Sequence, residues 1–174
     1  MKFSVQSLRH IYRYSGVIIL GIVIFFLDYY ELTNPIVNEF VLFSISILKA
    51  GYFIYFVVTQ IRESAHREFH FQDILTIVAP GILVIILSFA IDYYCLFRIR
   101  PDAFTGFISK PTIIAEFVSS FYFSISVFTT AGFGDIYPKS TSAQVFVSTE
   151  LLIAFLFTIL IISNIAHIRE SYRK

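Results

Sequence analysis

The chain has 174 residues, 57% of them apolar and only 14% charged, with a formal net charge of +1. A soluble domain carries roughly 25% charged residues, so this chain has too few polar groups to cover a water-facing surface. That composition argues against a soluble enzyme, a disordered tail and a nucleic-acid binder, and it implies a lipid bilayer as the surrounding solvent.

A helix needs roughly 20 apolar residues to cross the hydrocarbon core. The first such stretch runs from Tyr14 to Leu32 and closes in Asp28-Tyr29-Tyr30-Glu31. No small-residue cleavage site follows it, so it reads as a retained span and not as a signal peptide. The second runs from Ile36 to Ile61 and is interrupted by Lys49. The charged connector 62–73, RESAHREFHFQD, reads as a short cytoplasmic or interfacial turn. The third stretch, Ile74 to Phe97, has Asp92 near its end and Pro80-Gly81 as a kink signal near its start. A shorter apolar stretch, Thr112 to Phe128, is rich in serine and runs straight into a glycine-containing turn. Its length is marginal for a crossing, and a re-entrant segment is expected. The last stretch runs from Ser142 to Ile168 with Glu150 inside it.

Lysine and arginine positions orient these segments. Lys2, Arg9, Arg13, Arg62, Arg67, Arg169, Arg173 and Lys174 fall on one side, and Arg98, Arg100, Lys110 and Lys139 on the other. Eight against four puts both termini in the cytoplasm, in keeping with four full crossings. A fifth crossing would carry the basic C-terminus outside.

Residues 121–138 read FYFSISVFTTAGFGDIYP. Thr129, Thr130, Ala131, Gly132, Phe133, Gly134 and Asp135 resemble the selectivity-filter motif of the pore-loop potassium channel family, Thr-Thr-x-Gly-Tyr/Phe-Gly-Asp. The resemblance covers roughly residues 74–168 in the family's order: outer helix, pore helix, filter, inner helix. It implies an all-α integral membrane fold of four transmembrane helices plus one re-entrant pore helix and filter loop, arranged as a fourfold tetramer. It divides the chain into a peripheral two-helix hairpin with its connector (1–73) and a pore domain (74–174). Within the latter it implies an outer helix (74–97), pore helix (112–128), filter (129–135) and inner helix (142–168).

The chemistry requires these residue types. A cation entering a membrane must exchange its water shell for other oxygens, and rings of backbone carbonyls supply them. Successive carbonyls facing one axis demand positive φ at intervals, which glycine tolerates. The resemblance assigns K⁺ coordination to the carbonyls of Thr130, Ala131, Gly132, Phe133 and Gly134, with the Thr130 hydroxyl adding an oxygen. Thr129 and Asp135 are assigned to filter support and the outer mouth. One filter per chain implies a homotetramer. Three departures stand out: Ala131 where relatives carry Val or Ile, Phe133 in place of the commoner Tyr, and Ala154 where relatives often carry a hinge glycine.

Outside the motif, Lys49 and Glu150 are ionisable groups at membrane depth and therefore candidates for a structural or gating role. A Lys49–Glu150 ion pair and a hydrogen bond from Glu150 to a serine or threonine of the pore helix are the competing readings. No span has the repeated arginines of a voltage sensor. His10, His66, His70 and His167 fall on the cytoplasmic side. Tyr29, Tyr30, Tyr93, Tyr94 and Tyr137 are expected in the outer aromatic belt. Thr158 and Ile162 are expected to face the cavity below the filter, with Phe155 nearby. The single cysteine, Cys95, excludes an intrachain disulfide and a cysteine zinc site. No cofactor, small-molecule substrate or enzymatic constellation is legible. The expectation is a potassium-selective channel of the plasma (inner) membrane. The alternatives are a weakly selective cation channel and a non-conducting scaffold or sensor subunit.

Overall fold

The computed structural model describes residues 35–64, 71–107 and 112–171. The Tyr14–Leu32 stretch, residues 65–70 of the connector, His10, His66, His70, Tyr29, Tyr30 and Lys110 lie outside them. Helix α1 spans Pro35–Ser64 and opens on a proline, whose missing N–H is not needed in a first turn. Helix α2 spans Phe71–Ile99, continues through Pro80, and carries Arg98 in its last turn, where the helix dipole favours a cation. A single 3₁₀ turn, Pro101–Ala103, leads into strand β1, Phe104–Thr105. Helix α3 spans Ile113–Phe128. Its N-cap is Thr112, whose hydroxyl accepts from the Ala115 N–H at 3.3 Å, and Glu116 lies in its first turn. Strand β2, Tyr137–Pro138, pairs antiparallel with β1 in the register Phe104↔Pro138 and Thr105↔Tyr137. Helix α4 spans Thr141–Ser171, and the Ser140 hydroxyl accepts from the Ala143 N–H before it.

Among the described residues, Ala79–Ile99 and Thr141–Ile159 are long and apolar enough to cross a membrane, while α3 is shorter. The architecture is helical, as the lengths of the apolar stretches and the family resemblance imply. Helices α1 and α2 run antiparallel, and their polar contacts step in opposite directions along the two helices. Arg100 meets Glu39 at 3.3 Å, Ser46 meets Asp92 at 2.8 Å, and Lys49 meets Ser88 at 3.0 Å. Helix α1 also packs on α4 through Phe43 and Phe146, ring centroids 5.9 Å apart.

The core between α2, α3 and the strand pair is a knot of aromatic rings. Tyr93 lies 4.9 Å from Phe123 and 5.7 Å from Phe104, and Phe104 lies 5.1 Å from Phe107. Such offset and edge-on pairs add roughly 0.5–1.5 kcal/mol each beyond burial. Tyr93 and Tyr94 are therefore not belt residues: α3 and β1 cover α2 at this level, and both rings are buried. The strand pair is pinned further by the Ala103 carbonyl, which accepts from the Lys139 and Ser140 N–H groups at 2.8 and 3.0 Å.

Phe104 sits at the centre of this knot and joins the strand pair to both helices. Phe104→Ala should lower stability by about 3–5 kcal/mol, the cost of an aromatic-to-alanine cavity. Unfolding of the detergent-solubilised protein measures it, with the exposed Val37→Ala as a control that should stay near wild type.

Candidate functional site

Helix α3 ends in a capping motif that launches the loop after it. Thr129 is the C-cap, with φ −78° and ψ 0°. Thr130 follows in the left-handed region at φ +57°. The Thr130 N–H donates to the Val127 carbonyl and the Ala131 N–H to the Ser126 carbonyl, both at 2.9 Å. That pair of bonds is the Schellman arrangement, which usually takes glycine at the left-handed position. A β-branched threonine there is strained, and an observed strain of this kind points to function. The Thr129 hydroxyl donates to the Ile125 carbonyl at 2.7 Å, so Thr129 holds the last turn of α3 together.

Beyond the cap, the backbone alternates in hand. Thr130, Gly132 and Gly134 have φ of +57°, +55° and +78°, and Ala131 and Phe133 between them do not have positive φ. Backbone of alternating hand presents successive main-chain groups to the same side. A Cβ added at Gly132 or Gly134 meets no atom of the chain, so these glycines answer to dihedral demand and not to crowding within one chain. Residues 130–135 are all exposed on the single chain, with Phe133 at 69%.

The far end of the loop is braced from two directions. The Phe133 ring stacks on Tyr122 of α3, with centroids 6.1 Å apart and planes 9° from parallel. The Tyr122 phenol also hydrogen-bonds Asp135. On the other side, Gly106 at φ +89° receives the Asp135 carbonyl so closely that a Cβ there would lie 1.9 Å from that oxygen. Position 106 is closed to any side chain, and the turn before α3 thereby fixes the exit of the loop.

Behind α3 lies a buried polar cluster. Glu150 of α4 is fully buried. Its Oε2 accepts from the Tyr93 hydroxyl at 2.5 Å, and the Ser124 hydroxyl of α3 lies 2.6 Å from its Oε1. Ser124 also reaches the Ile86 carbonyl of α2 at 2.8 Å. Three helices thus converge on one carboxyl group. Of the two readings for Glu150, the hydrogen bond to a pore-helix serine is the one observed.

The Lys49–Glu150 ion pair is not formed in the chain. Lys49 Nζ sits between the two oxygens of Asp92, at 2.5 and 2.6 Å, and donates to Ser88 as well. Asp92 accepts a further bond from Ser46, and all four groups are buried. The reason is register: α1 lies antiparallel to α2, which brings Lys49 to the Ser88–Asp92 face. Folding the second and third stretches together across the 62–73 connector sets Lys49 opposite residue 86, about 9 Å of helix rise from Asp92. That construction finds the partner from sequence. Comparing depths with the inner helix does not.

Three further groups carry no motif and are apparent only in the fold: Tyr93, Gly106 and Glu39. Glu39 accepts from Ser142 at 2.5 Å and meets Arg100, so it ties the start of α1 to the start of α4 and the end of α2. Phe155, Thr158 and Ile162 share the exposed side of α4.

Comparison with known proteins fits this geometry. Residues 81–170 match the family model described as "Ion channel", from early in α2 through α3 and the loop to the end of α4. "Two-pore potassium channel 4" of Arabidopsis thaliana is 31% identical over 101 residues, covering 56% of this chain and 33% of its own length. "Potassium channel AKT3" of Oryza sativa subsp. japonica is 32% identical over 98 residues, covering 49% of this chain and 11% of its own. The chain therefore spans a third or less of the length of these relatives. No solved structure matches.

The Glu150 cluster makes a sharp prediction. A glutamine can accept from Tyr93 and donate to Ser124, leaving Ser124 free to donate to Ile86. Glu150→Gln should stay within about 1 kcal/mol of wild type, whereas Glu150→Leu strands the buried Tyr93 hydroxyl at about 1–3 kcal/mol, Ser124 keeping the Ile86 carbonyl. Denaturant titration of the purified protein reads the difference.

Proposed function

The chain belongs to the ion channel family, a membrane-protein and not an enzyme family, and from that premise we propose that it is the subunit of a homotetrameric potassium channel. The observation that carries the proposal is the alternating backbone hand at Thr130, Gly132 and Gly134, directly after the capped end of α3. Four such loops around a common axis form stacked rings of oxygens. The carbonyls of Thr130, Ala131, Gly132, Phe133 and Gly134, with the Thr130 hydroxyl, then replace the water shell of K⁺. One loop encloses nothing, and its exposure on the single chain supports closure by further copies in cyclic symmetry. The two potassium channels among the relatives support K⁺ as the permeant ion.

In this reading residues 74–174 form the pore domain and residues 1–73 a peripheral two-helix hairpin. The subunit makes four crossings, α3 being re-entrant from the outer face. The cation bias places both termini in the cytoplasm of a cell bounded by the plasma (inner) membrane. Asp135 rings the outer mouth, where carboxylates concentrate cations. Conduction is passive: dehydration into carbonyl cages and knock-on between occupied sites. Ala131 favours a second reading, a weakly selective cation channel, because a methyl group packs less behind its carbonyl than Val or Ile.

Flux from liposomes in K⁺ and Na⁺ gradients tests both readings. The expected result is K⁺ flux far above Na⁺ flux, abolished in Gly132→Ala, because alanine at φ +55° is strained and moves the carbonyl. Comparable flux of both ions would select the weakly selective channel. Flux untouched by Gly132→Ala would sink the filter assignment.

A further inference from the structure

The buried charges on α1 and α2 sit far from the ion path, yet the fold joins them to it. Asp92 and Tyr93 are consecutive residues of α2, so their side chains leave the helix about 100° apart. On one face Asp92, with Ser88 one turn below it, holds Lys49 of α1 and accepts from Ser46. On the next face Tyr93, with Phe89 one turn below it and 6.2 Å away, packs on Phe123 and donates to Glu150. Glu150 in turn meets Ser124 of α3, five residues before Thr129. Each residue of this series fixes the rotation of the helix that carries the next.

We propose that Lys49 and Asp92 are positioning residues for the filter, through which helix α1 sets the orientation of the pore helix. The inference rests on the reading of residues 130–134 as an ion filter. Its physical basis is the cost of an unpaired charge. Removing Lys49 leaves a carboxylate with no cationic partner among the described residues, inside a packed interface. Helix α2 relieves this by turning Asp92 toward water, and Tyr93 turns with it because both sit on one rigid helix. The phenol then leaves Glu150, the Ile86 carbonyl on the same helix leaves Ser124, and the start of the filter shifts. Helix α1 is accordingly an obligatory part of the permeation apparatus and not a passive lipid-facing wrap.

The test uses the full-length protein in liposomes, with the K⁺/Na⁺ permeability ratio as readout. Tetramer content by crosslinking controls for assembly. Lys49→Met should lower the ratio by about fivefold or more, the lower bound of typical coupling between sites. Lys49→Met combined with Asp92→Leu removes both charges and should recover most of it, since paired apolar replacement is often neutral. Ser46→Ala is the milder probe should Lys49→Met fail to assemble. It takes one bond from Asp92, should lower the ratio modestly, and should be non-additive with Tyr93→Phe, because both act on one support. A wild-type ratio in assembled Lys49→Met, or in Ser46→Ala where Lys49→Met fails to assemble, would overturn the inference. Simple multiplication of the Ser46→Ala and Tyr93→Phe effects would overturn it too. A wild-type protein that passes no K⁺ would overturn the filter reading and this inference with it. A conducting wild type with unaffected variants would overturn the inference alone.

Discussion

A carboxyl group buried where three helices meet must find a partner for each oxygen, and at Glu150 those partners come from different helices. Tyr93 reaches it from α2 and Ser124 from α3. Unmade hydrogen bonds here would cost several kcal/mol in hydrocarbon-like surroundings. The three helices are therefore held to one mutual arrangement, and the last turn of α3 enters the loop at 130 from a fixed direction. The Schellman cap then converts that direction into a backbone of alternating hand.

Around this point the support comes in layers. The aromatic knot of Tyr93, Phe104, Phe107 and Phe123 supplies non-directional burial, which excludes water but tolerates small rotations. The polar contacts of Glu150, Asp92 and Glu39 supply direction. Gly106 and the Tyr122–Phe133 stack then fix the far end of the loop. A filter must hold oxygens at defined separations while ions pass in quick succession, so a loop braced at both ends and free in the middle is the arrangement such a task needs. On one chain the middle residues touch little, which supports the proposed closure by further copies.

Much of this was legible in the sequence, for reasons that differ by residue. The membrane-type character follows from composition, and the helices from the length of the apolar stretches. Thr129–Asp135 are legible because the backbone conformation depends on glycine spacing, which is a local property. Thr130 is the exception: its left-handed φ comes from capping α3 and not from a glycine requirement. Glu150 to Ser124 was legible as a type of contact, since a buried acid near a serine-rich helix needs a donor. The Lys49 partner does not follow from depth in the membrane, because two acids are available and only the antiparallel register of α1 and α2 selects Asp92. Tyr93 escaped because a tyrosine near a span end is ordinarily an interface anchor. Gly106 escaped because its neighbour, the Asp135 carbonyl, lies far along the chain and belongs to the backbone, which leaves no trace in side-chain pattern.

The central claim is that four copies of the 130–134 backbone enclose a column of dehydrated cations. Anomalous diffraction from crystals grown with Rb⁺ in place of K⁺ measures this directly. The account predicts a row of discrete Rb⁺ peaks on a fourfold axis, ringed by the carbonyls of Thr130, Ala131, Gly132, Phe133 and Gly134. An assembly without fourfold symmetry, or a fourfold axis whose peaks lie away from those carbonyls, would contradict it.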